Sequence, residues 1–253
     1  MTPRLKSFLR RWVLPFADPR QLASLALLPQ YFLEMKRFRG LAQEESVAFG
    51  ETYPCLLDRL SKTPFDPHYL YQGAWLSRRL SMTTPQLHVD VGSSVMMLSV
   101  LSASVPIAFL DYRPLAVELP GLHCVAGTGT RLPFLDNSVA SLSCLHVIEH
   151  IGLGRYGDPL DPNGSQEAAG ELARVLQPGG RLFLSVPVGR DRVCFNAHRV
   201  FGPSTIQSFL PSLRLEALSL VDDRGQFRER VSFDTVTGLE YGCGMFEFVK
   251  MHD

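Results

Sequence analysis

Beyond position 84 the chain alternates short apolar runs with stretches of helical periodicity. The runs at 87–91, 107–110, 139–145, 181–186, 215–221 and 245–250 read as strands, and the segments between the earlier ones as helices. This alternation predicts an α/β architecture: a doubly wound, mostly parallel sheet with helices on both faces and a ligand site at the carboxyl ends of the strands. The domain spans about 81–253, after an N-terminal helical extension over 1–80.

Leu5, Phe8, Leu9 and Trp12 share a helical face opposite Arg10 and Arg11, and Pro15 stops that segment. Asp18 is placed to cap a second helix with Pro19 at its first position, which Pro29 is expected to end. Tyr31, Met35 and Phe38 form a further helical stripe. Such pieces suit either a cap packed on the main domain or a basic amphipathic anchor on a membrane surface.

The chain has 253 residues, with 25 Lys+Arg balancing 25 Asp+Glu. The balance is uneven: positions 1–40 hold eight basic and two acidic residues, so the rest is net acidic. An acidic main body argues against nucleic-acid backbone binding. Five cysteines, an odd number with no C-x-x-C pair, read as free thiols in a reducing cytoplasm. The N-terminus lacks the pattern of a secretory signal. The uncharged stretch 91–110 is long enough to cross a membrane, but Gly92, Pro106 and its serines fit a buried helix and strand better, so no transmembrane span is expected.

The first segment with chemistry runs His88-Val89-Asp90-Val91-Gly92-Ser93-Ser94, a strand followed by a tight turn into a helix. Such a turn brings backbone N–H groups close to a ligand. Nineteen residues after Gly92, the next strand ends at Asp111-Tyr112, where an acid can accept both hydroxyls of a ribose. The complete dinucleotide glycine fingerprint, the P-loop and the G-x-S-x-G elbow are absent from the sequence.

The third segment carries a family resemblance. Leu132-Pro133-Phe134, Val147-Ile148-Glu149-His150 and Arg174-Val175-Leu176-Gln177-Pro178-Gly179-Gly180 stand in the order and spacing of a class I S-adenosylmethionine-dependent methyltransferase, which the chain resembles. Ser143 to His146, His150 to Asp158 and Phe195-Asn196-Ala197-His198-Arg199, together with the stretch from Tyr69 to Trp75, are similar to a methyltransferase-like family catalogued as a domain of unknown function. The resemblance implies a Rossmann-like seven-stranded sheet and S-adenosylmethionine as cofactor. It implies cofactor contacts from Asp90, Gly92, Ser93, Ser94, Asp111, Tyr112, Thr128, Arg131, Leu132 and His146. Ser94 and Met96 replace glycines of the family turn and are expected to crowd the methionine end of the cofactor, and Thr128 replaces the acid that contacts the adenine amino group.

The acceptor in this fold sits near the end of the fourth strand, where His146, Glu149, His150, Tyr156 and Asp158 fall; His198 and Arg199 follow the fifth strand. His146 or His198 is the expected base, Arg155 or Arg199 the expected clamp for an anionic acceptor group, and Glu149 and Tyr156 complete the catalytic set. The resemblance points to methyl transfer to an oxygen or nitrogen of a small or saccharide-linked acceptor, since proteins of this look accompany glycan assembly. Two other readings remain: a binding or scaffold module without turnover, and a metal-dependent hydrolase, because His146-Val147-Ile148-Glu149-His150 matches the H-x-x-E-H zinc pattern and Glu167, Glu171, Asp158 or His198 could add a ligand. The main expectation carries no bound metal.

Overall fold

The computed structural model describes residues 18–42, 47–113 and 115–252. The helix expected around Leu5 to Trp12 lies outside them. The chain divides into two compact units, Met1–Pro64 and Phe65–Asp253.

In the first unit, helix α1 (Pro19–Ser24) begins where Asp18 Oδ1 accepts the Arg20 N–H at 2.8 Å. A 3-10 turn, Leu25–Leu27, links it to α2 (Leu28–Leu41). Pro29 therefore opens the second helix instead of ending the first. The correction has a simple cause: the first turn of a helix has no intrahelical use for the N–H that proline lacks. Leu22, Leu33 and Leu41 are exposed along these helices.

The second unit opens with α3 (Pro67–Thr83), whose N-cap, Asp66, accepts from the backbone N–H of His68 and Tyr69. Gln72, Trp75, Leu76, Arg79 and Leu80 form its buried face, at the spacing of one helical stripe. Trp75 meets Phe183 edge-on at 5.7 Å, and Arg79 pairs with Glu247 at 3.1 Å. Thr84, left-handed at φ 41°, ends the helix before Pro85.

The strands are β1 (His88–Val91), β2 (Ile107–Asp111), β3 (Leu122–Ala126), β4 (Val139–Leu145), β5 (Leu176–Val188), β6 (Arg192–Cys194), β7 (His198–Val200), β8 (Leu213–Val221), β9 (Phe227–Arg228) and β10 (Gly242–Lys250). Between them stand α4 (Val95–Leu101), α5 (Gly164–Val175) and α6 (Pro203–Phe209). The sheet order is β3-β2-β1-β4-β5-β10-β8-β9, with β6 and β7 forming a separate ribbon. Strands β1 to β5 pair in parallel, and β10 inserts antiparallel between β5 and β8. This is the expected mostly parallel Rossmann-like sheet, with eight strands in place of seven. The expected strand set omitted the two edge strands, the two-residue β9 and β3, a short strand whose apolar run is interrupted by an exposed His123. Its half-exposed pattern follows from having one neighbour only.

Both faces of the sheet are covered. Leu182, Leu184 and Val186 belong to the apolar cluster that includes the buried face of α5, while Phe183 joins the opposite cluster with Trp75 and Leu98. Alternation along β5 sends neighbouring side chains to opposite layers, so burial on both faces requires the continuous apolar run seen in the sequence. Among the described residues no helix is long and apolar enough to cross a membrane.

A polar network lies inside β1 and β4. His88 Nδ1 and Nε2 each lie 2.8 Å from a serine hydroxyl, Ser141 and Ser143, and Ser143 Oγ also donates to Asp90 Oδ2. Burial pushes His88 down to about 3 and Asp90 up to about 6. The unfolded chain protonates His88 first, so this histidine contributes stability that is complete above about pH 6.5 and falls as the pH drops toward 3. Asp90 works in the opposite sense between about pH 6 and 4, because the folded state takes up its proton first. His88→Gln is therefore expected to flatten the loss of stability on acidification from pH 7 to 5, read as urea midpoints. Parallel pH profiles for the variant and the parent would refute the assignment.

Candidate functional site

The ends of β1, β2 and β4 converge on a cleft of about 690 Å³, counted to its open mouth. It lies where the strand order reverses between β1 and β4, the place at which doubly wound sheets take their ligands. Gly92 forms its floor at φ 69°. A Cβ built there would stand 2.9 Å from Val147 Cγ1, so only glycine lets the backbone take this path without displacing a wall of the cleft. Gly92→Ala is expected to cost about 1–2 kcal/mol in the left-handed region and to weaken any ligand in the cleft; unchanged urea midpoints would count against the strain.

Asp111 ends β2 on the cleft wall, its Oδ1 accepting the Arg113 N–H at 2.7 Å. Tyr112 and Thr128 line the same wall, with Thr128 Oγ1 3.0 Å from Thr130 Oγ1. Ser93 is buried and its Oγ accepts from Leu145 N–H at 2.9 Å, tying the β1 turn to the end of β4. Ser94 stands at the N-cap position of α4, and neither it nor the exposed Met96 is among the residues that line the cleft. Asp90 lies beneath the turn, fully buried on Ser93 N–H and Ser143 Oγ. Arg131 and Leu132 also lie off the cleft: Arg131 is exposed, and Leu132 is a core residue whose backbone is gripped by Glu171 and Arg174.

The mouth is built from the loop after β4. His146 has φ 56°, and its Nδ1–H donates to Glu149 Oε1 at 2.9 Å. Its Nε2 lies 3.3 Å from Cys243 Sγ. Burial disfavours charge on this ring, but the Cys243 sulfur and the Glu149 carboxylate outweigh it and raise the His146 pKa. His150 donates from Nδ1 to the Ala197 carbonyl at 2.5 Å, which leaves Nε2 as its acceptor nitrogen. Burial lowers the pKa of His150, and likewise that of His198 and of His68, the last to about 4. Tyr156 is held between two guanidinium groups, Arg113 at 4.4 Å and Arg155 at 5.1 Å from its ring. Asp158 shapes the loop by accepting from Gly152 N–H at 2.7 Å.

Rings continue from the mouth: His68 and Tyr69 stack near His146 at 5.5 and 5.6 Å, and Tyr241 lies against His68 at 5.4 Å and His198 at 5.2 Å. His68, Tyr241 and Cys243 escaped the sequence reading because no motif marks them; they reach the site only through α3 and β10.

Three expected roles do not match the geometry. Arg199 is buried, donating to Ile151 O, Ser165 Oγ, Asp161 O and Pro162 O, so its guanidinium holds the loop and does not face an acceptor. Glu149 is buried behind His146 and does not line the cleft. His146 lies in a bend and Glu149 and His150 in a turn rather than on one helix, and His146 Nδ1 and His150 Nε2 both face Glu149 Oε1, at 2.9 and 3.8 Å, so the H-x-x-E-H spacing loses the one-turn geometry that gives it meaning. Glu171 is taken up by Arg174 and Leu132 N–H.

Residues 135–215 match the model of the family described as Caenorhabditis protein of unknown function, DUF268. No curated protein sequence matches the chain. Among solved structures, the YcgJ protein from Bacillus subtilis is similar at 14% identity over 73% of this chain and 100% of its own, with a TM-score of 0.52. A putative sarcosine dimethylglycine methyltransferase from Galdieria sulphuraria is similar at 15% identity over 73% of this chain and 86% of its own, TM-score 0.51. The N-methyltransferase NodS from Bradyrhizobium japonicum WM9, solved with S-adenosyl-l-homocysteine, is similar at 15% identity over 86% of this chain and 98% of its own, TM-score 0.50. The likeness to these structures shows the fold read from the sequence, and the likeness to the family of unknown function is carried by residues 135–215.

Proposed function

We propose that the cleft binds S-adenosylmethionine and that the protein transfers its methyl group to an oxygen or nitrogen of a small or saccharide-linked acceptor. The observation that carries this reading is the joint placement of Gly92 and Asp111 on one cleft at the β1/β4 switch point, with a mouth of imidazole and phenol groups above it. The fit to the cofactor rests on the chain itself: a left-handed glycine turn packed against Val147, an acid at the end of β2 for the ribose hydroxyls, and Tyr112 and Thr128 beside it for the base.

The cofactor supplies a sulfonium-bound methyl whose transfer cancels a charge. The protein positions the acceptor in line and removes its proton. His150 suits the proton-accepting role better than the other two histidines. Its Nε2 is not held by a hydrogen bond among the described residues, Glu149 Oε1 lying 3.8 Å away, and the ring lines the cleft, where burial favours its neutral form. His146 has both ring nitrogens engaged, and His198 is absent from the lining. Tyr69, exposed and stacked on His146, offers an aromatic ring suited to the C–H side of a sugar.

The test is calorimetric titration of S-adenosylhomocysteine into protein freed of copurified ligand. Micromolar binding at one site per chain supports the reading. Folded, empty protein that takes up none would overturn it and leave a binding module without turnover as the better account.

A further inference from the structure

His68 at the start of α3, His146 after β4 and Cys243 on β10 come from three distant parts of the chain, yet each presents a ligand atom within 4.8 Å of the other two. Among the described residues this is the single cluster of at least three His, Cys, Asp or Glu side chains with donors so close. We propose that these three residues form a binding site for a borderline-soft divalent cation, zinc in the first place, at the acceptor end of the cleft.

The donor chemistry selects the metal. One thiolate and two imidazoles suit zinc, and a hard ion such as magnesium prefers oxygen. The His146 Nε2 to Cys243 Sγ separation of 3.3 Å is close to the edge of about 3.6 Å that a tetrahedral zinc with one nitrogen and one sulfur ligand requires. His68 presents a nitrogen within 4.8 Å of both, so an approach of at most roughly 1.5 Å completes the tetrahedral edges.

The surroundings are those of a supported ligand. Glu149 accepts from His146 Nδ1–H, which fixes the tautomer and aims Nε2 at Cys243. The second oxygen of that carboxylate is buried with no hydrogen-bond partner among the described residues, so a desolvated acid is held behind this ring and used on one side. A cation on Nε2 gives the buried negative charge a counter-charge through the imidazole. Binding moves the Cys243 thiol proton, and any proton on His146 Nε2, into solvent; no electron changes hands.

Three protein ligands leave one coordination position open, the arrangement of catalytic rather than structural zinc. His146 also lines the cleft, so an acceptor entering it can fill that position with a hydroxyl, thiol or carboxylate. A hydroxyl bound there loses its proton more readily, which would help His150. This acceptor role rests on the methyl-transfer reading; the cation site itself does not.

The test uses the full chain stripped with chelator and titrated with Co2+ and then Zn2+. One cobalt per chain is expected, with an intense tetrahedral visible spectrum and a thiolate-to-cobalt charge-transfer band that zinc abolishes. Cys243→Ser should lose the charge-transfer band. His68→Gln, near the N-terminus of α3 and away from the sheet, should weaken binding at least tenfold, and Glu149→Gln by about 10- to 100-fold while keeping the band. A folded parent that shows no such spectrum overturns the site, as does metal binding of equal strength in Cys243→Ser and His68→Gln. S-adenosylhomocysteine titration of the same stripped protein reports on the cofactor cleft separately, so the two readings fail independently.

Discussion

Arg199→Ala is expected to lower the stability of the protein by about 3–5 kcal/mol, more than any single change at the cleft wall. The guanidinium is buried, and its two terminal nitrogens donate to three main-chain carbonyls and to Ser165 Oγ. Alanine leaves these acceptors without donors. A loss of this size corresponds to a fall of roughly 10 °C in Tm for a domain of this length. The loop so released carries Tyr156 and Asp158, so cofactor affinity should weaken with it. Arg199→Lys should recover little, because a single ammonium cannot reproduce a planar fork reaching four acceptors. Thermal unfolding followed by circular dichroism decides the matter. A variant with Tm within about 2 °C of the parent and a raised KM for the acceptor alone would return Arg199 to the role of substrate clamp.

Asp111→Ala should do the reverse, sparing the fold and removing the ligand. The residue ends β2, where its side chain accepts from Arg113 N–H and lies 3.8 Å from the largely exposed Arg113 guanidinium, a pair of small worth. Against a ribose it would accept two hydroxyls with a charged carboxylate, each such bond contributing about 1.5 kcal/mol or more. Their loss predicts at least about 100-fold weaker binding of S-adenosylhomocysteine, with Tm close to that of the parent. Calorimetry on the two proteins measures it directly. An affinity within threefold of the parent would mean that the ligand lies elsewhere.

Much of the cleft was legible in the sequence because its determinants are local. Gly92 and Asp111 each end an apolar run, and a strand followed by an acid or a glycine turn places these residues at a carboxyl edge whatever the strand order. The run from Val139 to Leu145 places His146 in the same way. Pro29 and β3 were misread for local reasons too: a proline fits the first turn of a helix as well as it ends one, and a half-exposed edge strand lacks a full apolar run. Arg199 was misread for another reason. An arginine beside a histidine in a loop gives the same local pattern whether it faces a substrate or an inner ring of carbonyls, and only the path of residues 151–162 separates the two.

By itself the sequence determined the α/β class, the carboxyl-edge position of the site, the turn at Gly92 and the acid at Asp111, because strand and turn preferences act over a few residues and repeat with the period of the backbone. The tertiary structure alone decided that β10 inserts between β5 and β8, and with it that Cys243 meets His146 across 97 positions of chain. The path of the chain likewise fixes which buried polar groups find partners among the described residues: Arg199 finds four, and one oxygen of Glu149 finds none. Such pairings depend on the order in which strands lie side by side, a long-range choice that hydrophobic periodicity does not encode.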